Sequence, residues 1–385
     1  MSHSRKVRPG WRSGTLQDLV YFQRGYDITK AEQKPGEIPV VSSSGINSYH
    51  AEAKVDCPGV VIGRKGSLGT VYYVDGPYWP HDTTLWSKDL KGNSPRYVFY
   101  FLQTLGLERY DVGNSNPTLN RNHIHGLEIE IPDYQLQERI AEVLSAYDDL
   151  IENNRRRIHL LEQAARLLYR EWFVYLRFPG HDRVTLTDGV PEGWEKKMIA
   201  DVCDTVGGGT PSTKVPEYWG GDITWVVPSD VTKNDCLALV DSERKITEKG
   251  LRASSAKMVP AETILMTSRA SVGYFALMER EVCTNQGFIS IIPHDVELRM
   301  YLLFNLMSRV NEIRSNAKGA TYPEISKGRF RGMDVVVPAR VLVIEFGKVA
   351  ADILQQVRCL KRSMLRLTEA RDLLLPRLMN GEMAV

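Results

Sequence analysis

The sequence predicts an α+β fold: two mixed α/β domains joined by two long, antiparallel, coiled-coil-like helices, with a pseudo-twofold internal repeat. Three observations predict it. The two halves of the 385-residue chain align with each other. Each half closes with a long stretch of heptad-like apolar periodicity. Each half opens with short apolar runs bounded by turn residues, the pattern of strands.

The repeat is established first, because missing one misreads the whole architecture. Trp11, Leu16, Asp18, Leu19 and Gly25 match Trp194, Ile199, Asp201, Val202 and Gly208, each pair 183 residues apart. The block Val60–Gly69 matches Ile264–Gly273 at an offset of 204, so the second half carries 21 more residues in between. From Gly113/Gly319 and Pro117/Pro323 through Gly126/Gly332 and Pro132/Pro338 the offset is 206, and it holds without a gap to Leu168/Leu374.

The elements follow in order. Residues 1–132 form the first α/β domain, with strands at Gly59–Ile62 and Val71–Val74 and a helix at Tyr97–Leu105. Residues 133–176 contain no proline or glycine and support one helix of roughly 60 Å at ~1.5 Å per residue. Its expected seam is Leu136, Ile140, Val143, Tyr147, Leu150, Asn154, Ile158, Leu161, Ala165, Leu168 and Trp172, with a stutter at Leu150–Asn154–Ile158. Residues 177–338 begin with a Pro/Gly-dense linker, Arg177–Gly180 through Asp188–Gly193, and continue as the second α/β domain. Strands are expected at Glu262–Met266 and Phe288–Ile292, and a helix at Leu298–Ile313. Residues 339–385 hold the second long helix, whose seam is the first one displaced by 206: Leu342, Phe346, Val349, Ile353, Gln356, Leu360, Met364, Leu367, Arg371, Leu374, Leu378. Pro376 should end or kink it. One helix leads out of the first domain and the other returns from the second, so the pair should run antiparallel.

The chemistry-bearing motifs exclude more than they assign. Hydrophobic residues at 43%, charged residues at 25% and a net charge of +2 describe an ordinary globular chain whose charge does not decide between partners. Five scattered cysteines without a CxxC pair predict neither a zinc site nor a disulfide framework. No signal-peptide or membrane-spanning apolar run occurs, and the expectation is a cytoplasmic protein without a membrane partner. There is no phosphate loop and no Asn-Pro-Pro-aromatic tetrad; Gly207-Gly208-Gly209 lacks the strand–GxGxxG–helix context of a cofactor loop. Pro228-Ser229-Asp230 with Glu243-Arg244-Lys245 weakly resembles a metal-dependent nuclease site, but the spacing is off by one and the first half has no counterpart. His123 and His125 lack a third ligand and read as turn or strand residues. No catalytic residue, metal or cofactor in this chain is expected.

DNA-contact candidates lie in the blocks that recur. Arg64, Lys65 and Ser67 occupy a glycine-bounded turn after a strand, and Ser268, Arg269 and Ser271 occupy its copy. Such a turn lets backbone N–H groups and a basic side chain approach phosphates. Asn120, Arg121, Asn122 and His123 align with a segment containing Ser326, Lys327 and Arg329. Asn and Arg are the residues that hydrogen-bond adenine and guanine edges.

The whole chain resembles the DNA-specificity subunits of type I restriction–modification systems. The resemblance is carried by Ile131-Pro132-x4-Gln137-Glu138-x-Ile140, Leu167-Leu168-Tyr169-x2-Trp172-Phe173 and Val190-Pro191-Glu192-Gly193-Trp194. Gly207-Gly208-Gly209-Thr210-Pro211 and Leu373-Leu374-Leu375-Pro376-Arg377-Leu378-x2-Gly381-Glu382 belong to the same pattern. It implies two target-recognition domains, each binding one half of a bipartite double-stranded DNA site, and helices that space the halves and dock two copies of a methylation subunit. That partner would bring S-adenosylmethionine and methylate adenine; a restriction/translocase subunit would join for cleavage. Gln137, Glu138, Trp172 and Phe173 are the expected partner contacts. The second helix departs from the pattern, opening Val337-Pro338-Ala339-Arg340 without the Gln-Glu pair. A specificity subunit of a type IIB or IIG system, a fused enzyme and a non-DNA two-domain scaffold are the alternatives.

Overall fold

The computed structural model describes residues 8–111, 118–319 and 321–385; the repeat positions Gly113 and Pro117 lie outside the described residues. The chain forms two compact units, one reaching to Ile151 and including Arg366–Val385, the other Glu152–Leu365. Both boundaries fall inside the long helices, Tyr134–Tyr169 and Arg340–Met379. Each unit is therefore an α/β body plus a segment of each helix. None of the described helices is long and apolar enough to cross a membrane.

In the first unit a four-stranded antiparallel sheet runs in the order Tyr21–Arg24, Thr84–Asp89, Gly59–Gly63, Val71–Val74. Gly59–Gly63 is buried at every position, as its unbroken apolar run requires. The helix Pro95–Gln103 covers one face and starts two residues before the expected Tyr97. Ser94 caps it by accepting from the Tyr97 N–H, and Pro95 suits the first turn. Phe22, Ile62, Leu85, Tyr97 and Leu102 form one core with Ile140, Leu144, Leu378 and Met379 of the two long helices. A ribbon, Trp11–Thr15 with Glu128–Pro132, sets Trp11 opposite Pro132 at the base of the first long helix. A smaller sheet, Gly45–His50, Ile38–Ser42, Trp79–Pro80, completes the body.

The second unit repeats this plan strand for strand. Its larger sheet is ordered Cys203–Gly207, Phe288–Pro293, Ile264–Thr267, Phe275–Ala276; its ribbon pairs Glu195–Met198 with Asp334–Val337; its smaller sheet is Arg244–Ile246, Trp219–Val226, Cys283–Thr284. The expected helix Leu298–Ile313 is two helices, Leu298–Ser308 and Val310–Ser315. They break at Arg309, whose guanidinium reaches the Asp334 carbonyl at 2.6 Å.

The helical seams differ from the expected ones by one residue. In the first helix Leu150 is 52% exposed, and the buried line is Ile140, Leu144, Ile151, Asn154, Ile158, Ala165, Tyr169. Ile151 restores regular steps from Ile140 to Ile158, so the stutter disappears. In the second helix Val349 and Gln356 are exposed, whereas Ala350, Leu354 and Val357 are buried. Apolar residues occupy both phases, and steps averaging 3.6 favour the line that a straight helix keeps on one face. Within the second unit Asn154 meets Ser363 while Tyr169 meets Phe346, so the helical segments there run antiparallel. The second helix continues through Pro376 to Met379; a proline so close to the end removes little of the hydrogen-bond ladder.

Candidate nucleic-acid interface

The structure brings the two recurrent blocks together, and does so in both units by the same bonds. In the first, the Leu119 N–H donates to the Arg64 carbonyl at 2.9 Å and Lys65 bridges to Thr118. In the second, the Ile325 N–H donates to the Ser268 carbonyl at 3.0 Å and Arg269 bridges to Glu324. The turn itself closes identically, Gly69 N–H to Gly63 O and Gly273 N–H to Thr267 O, each at 2.9 Å. Gly69 and Gly273 have φ of +73° and +82°, which accounts for glycine at that position in both copies. The adjoining segments start short helices, Arg121–His125 capped by Asn120 and Lys327–Arg331 capped by Ser326.

Most candidate contacts stand in solvent at this junction. Lys65, Ser67, Asn120, Asn122 and His123 are exposed in the first unit, as are Arg269, Ser271, Ser326, Lys327 and Arg329 in the second. Arg121 is half-buried, 5.8 Å above the Tyr21 ring. Arg269 lies 3.7 Å from Glu324, and the Arg329 Nε donates to Asn316 at 2.8 Å. Arg64 is half-buried with its Nη1 enclosed and without a hydrogen-bond partner among the described residues. Burial, then the charge of Arg24, lowers its pKa from the ordinary arginine value.

Several expectations are corrected. Ser268 is 3% exposed, inside the turn rather than on it, and cannot present its hydroxyl to DNA. Gln137 is buried: its Oε1 accepts from the Ser94 N–H at 2.9 Å, and its Nε2 donates to Asn93 and the Pro132 carbonyl at 2.7 and 2.9 Å. It pins the first long helix to its own domain and is not free for a partner. Phe173 is likewise internal, 4.9 Å from Tyr301 and 5.3 Å from Phe346 between ring centroids. Trp172 packs partly on the same cluster, while Glu138 remains half-exposed. His125 sits on a helix with its Nε2 accepting from the Phe22 N–H at 3.0 Å, a structural task. Asp230 accepts from the Val227 N–H at 2.9 Å and from the Glu243 N–H at 3.3 Å, a capping role in the segment that resembles a nuclease site. Burial pushes the Cys203, Cys236 and Cys283 thiols up to about 12, so none is a poised nucleophile.

Beside the junction the first unit opens a cleft of about 850 Å³ whose lining includes Arg24, Asp27, Arg64, Asp82 and Arg121. Arg24 pairs with Asp82 at 2.8 Å, and His81 Nδ1 lies 3.1 Å from the same carboxylate. Ligand atoms of Asp27, His81 and Asp82 come within 4.8 Å of one another, close enough to share a cation, although Arg24 already neutralises Asp82. The matching positions in the second unit are Gly207, Thr210, Asn285 and Gln286, where the Thr210 hydroxyl donates to Gln286 Oε1. Lys327 takes the place of Arg121, and a Cβ on Gly207 would stand 3.2 Å from its Nζ. Sequence reasoning missed Arg24, Asp27, His81 and Asp82. Following the 204-residue offset past the turn, to His81-Asp82 and Asn285-Gln286, would have found the last two.

The chain is similar to known proteins in sequence and in fold. The family model described as type I restriction modification DNA specificity domain matches residues 9–163 and 191–361. The MjaIX specificity subunit of Methanocaldococcus jannaschii is 38% identical over 152 residues, 39% of this chain and 35% of that protein. The HindI specificity subunit of Haemophilus influenzae is 25% identical over 328 residues, 69% of this chain and 71% of that one. The match thus spans about a third of the first relative's length and over two thirds of the second's. A crystal structure of the type I restriction–modification S subunit from M. genitalium superposes with a TM-score of 0.66 at 17% identity, covering 98% of both chains; that likeness is one of fold.

Proposed function

The chain belongs to the family of type I restriction–modification DNA specificity subunits, and from that premise we propose that it is the sequence-reading, non-catalytic subunit of such a complex. Each unit binds one half of a split double-stranded site through its turn-and-cap junction. The two long helices space the halves and dock two copies of a methylation subunit, which binds S-adenosylmethionine and transfers its methyl group to adenine. A translocase subunit adds cleavage.

The observation that carries this reading is the junction assembled twice by identical backbone bonds, with Lys65 and Arg121 at one copy and Arg269, Lys327 and Arg329 at the other. A duplicated cationic surface suits a ligand that offers two phosphate-lined half-sites. The test is reconstitution with the methylation subunit, followed by mapping of methylated adenines and binding across a salt series. Replacing Lys65 and Arg121 by Ala, or Lys327 and Arg329 by Ala, should lower the salt slope by roughly 0.9 for each phosphate that is no longer neutralised. Methyl transfer by the chain alone, or unchanged affinity and salt slope in both variants, would overturn the proposal.

A further inference from the structure

We infer that one structural position of the repeat reads a base pair in each unit: Arg64 with Arg24 and Asp82 in the first, Gln286 with Thr210 in the second. The first reads a G·C pair and the second an A·T pair. This rests on the specificity-subunit reading above and assigns its chemistry.

The backbones at this position are the same. His81 N–H donates to the Val41 carbonyl at 2.9 Å, and Asn285 N–H to the Val226 carbonyl at 3.0 Å. Gly25 and Gly208 press against these loops so closely that a Cβ would fall 2.1 Å from the His81 or Asn285 carbonyl oxygen. Two loops held at fixed separation present residues 27 and 82 in one unit and residues 210 and 286 in the other. In both, the side chains meet across the gap or lie beside it, Asp27 near Asp82 and Thr210 bonded to Gln286. Here the scaffold is kept and the hydrogen-bonding chemistry is exchanged, an arrangement that suits two different half-sites.

The exchanged groups match base edges. A guanidinium donates in a fork to guanine O6 and N7, and a carboxylate accepts from cytosine N4. The first unit offers both in one cleft: Arg64, half-buried in its lining, and Asp82, held by Arg24 at 2.8 Å. The second unit has no guanidinium at these places, because Gly207 replaces Arg24 and the buried Ser268 replaces Arg64. Gln286 is exposed, and the Thr210 hydroxyl donates to its Oε1. That bond sets which way the amide faces and leaves one Oε1 lone pair and the Nε2 protons free. An acceptor beside a donor is the complement of adenine N6 and N7.

The experiment uses the complex with its methylation subunit and duplexes bearing its mapped site. Each guanine of the first half-site is replaced in turn by 7-deazaguanine, and each adenine of the second by 7-deazaadenine. One substitution in each half-site should weaken binding by roughly 10- to 100-fold. Arg64→Met, which removes every donor, should abolish the 7-deazaguanine penalty and leave the second half-site unaffected; Gln286→Ala should do the converse. Indifference to every 7-deazaguanine, or a first half-site without any G·C pair, overturns the assignment and leaves the specificity-subunit reading standing. Discrimination that disappears on chelation with EDTA would assign Asp27, His81 and Asp82 to a cation and overturn it equally. A complex without sequence preference on any duplex would overturn both readings. The substitutions in DNA need no protein variant, so misfolding of a variant does not decide the result.

Discussion

The base of the long helix is built differently in the two units. In the first, Gln137 bonds Ser94, Asn93 and the Pro132 carbonyl and fills the angle between helix and sheet. In the second, Val343 occupies the matching position with a side chain that has no hydrogen bond to make; a cleft of about 290 Å³ lined by Asp295, Leu298, Pro338 and Val343 stands there. Further along, the second unit gains what the first lacks. Arg358 donates to both Glu262 oxygens at 2.6 Å, and Glu279 receives Arg358 and Arg362. The nearest parallel in the first unit is Arg371 with Asp148, a more exposed pair that Tyr100 also joins. A repeat therefore preserves backbone geometry, while each copy finds its own means of fastening the helices to the body. Because fastening lies outside the recognition junction, it can diverge without disturbing it.

The comparison breaks most readily at the ion pair. Arg358 and Glu262 expose 11% and 21% of their side chains, and Glu262 stands at a φ of +65°. Arg358→Met should destabilise the second unit by about 1–3 kcal/mol, because Glu262 loses its two-pronged partner and keeps only Arg299 at 4.0 Å, while Glu279 keeps Arg362. Arg371→Met should cost less in the first unit, because Asp148 is wetter and keeps the Tyr100 hydroxyl. Urea unfolding followed by hydrogen exchange in each unit compares the two; the reverse order of costs would refute this account of fastening.

Shared geometry should fail equally. Gly25→Ala and Gly208→Ala each push a methyl group into a facing carbonyl, and each should cost about 3 kcal/mol. Thermal melts of the two variants should shift alike, and a clear inequality would mean that the loop contact is not equivalent in the two copies.

Exchanging the residues at the helix base sharpens the contrast. Gln137→Val strands a buried Ser94 N–H and should cost about 1–3 kcal/mol. Val343→Gln enters a cleft already lined by polar groups and should be nearly neutral. Equal costs on chemical denaturation would show that Gln137 fills space and does not pin the helix.

The smallest expected effect is on pH dependence. Burial, and then the Arg121 charge, holds the His125 pKa below its ordinary value, since the neutral ring accepts from the Phe22 N–H. A lowered folded pKa means that the unfolded chain binds the proton first. The stabilisation is therefore complete above about 6.5 and declines as pH falls below it. Arg331 occupies the matching place in the second unit, which therefore has no histidine there. Hydrogen exchange should show loosening below pH 6.5 around Phe22 that His125→Gln, which retains an acceptor, removes; an unchanged profile in that variant would assign the loosening elsewhere.

Much was decided by the sequence alone: the duplication, both long helices, the strands Gly59–Gly63 and Phe288–Pro293, and the turns that recur at Gly63–Gly69 and Thr267–Gly273. These follow from neighbours along the chain, where side-chain period, glycine and proline act over a few residues. Tertiary structure alone decided which of two apolar phases each helix buries, since Leu150 and Ile151 are equally hydrophobic and only the packing distinguishes them. It also turned Gln137, Phe173 and Ser268 inward and gathered Arg24, Asp27, Arg64 and Asp82 into one cleft. Arg358 and Glu262 are 96 residues apart in the chain and Gln137 and Ser94 are 43 apart. Such contacts leave no local pattern, because they depend on where distant strands place their ends and not on the residues in between.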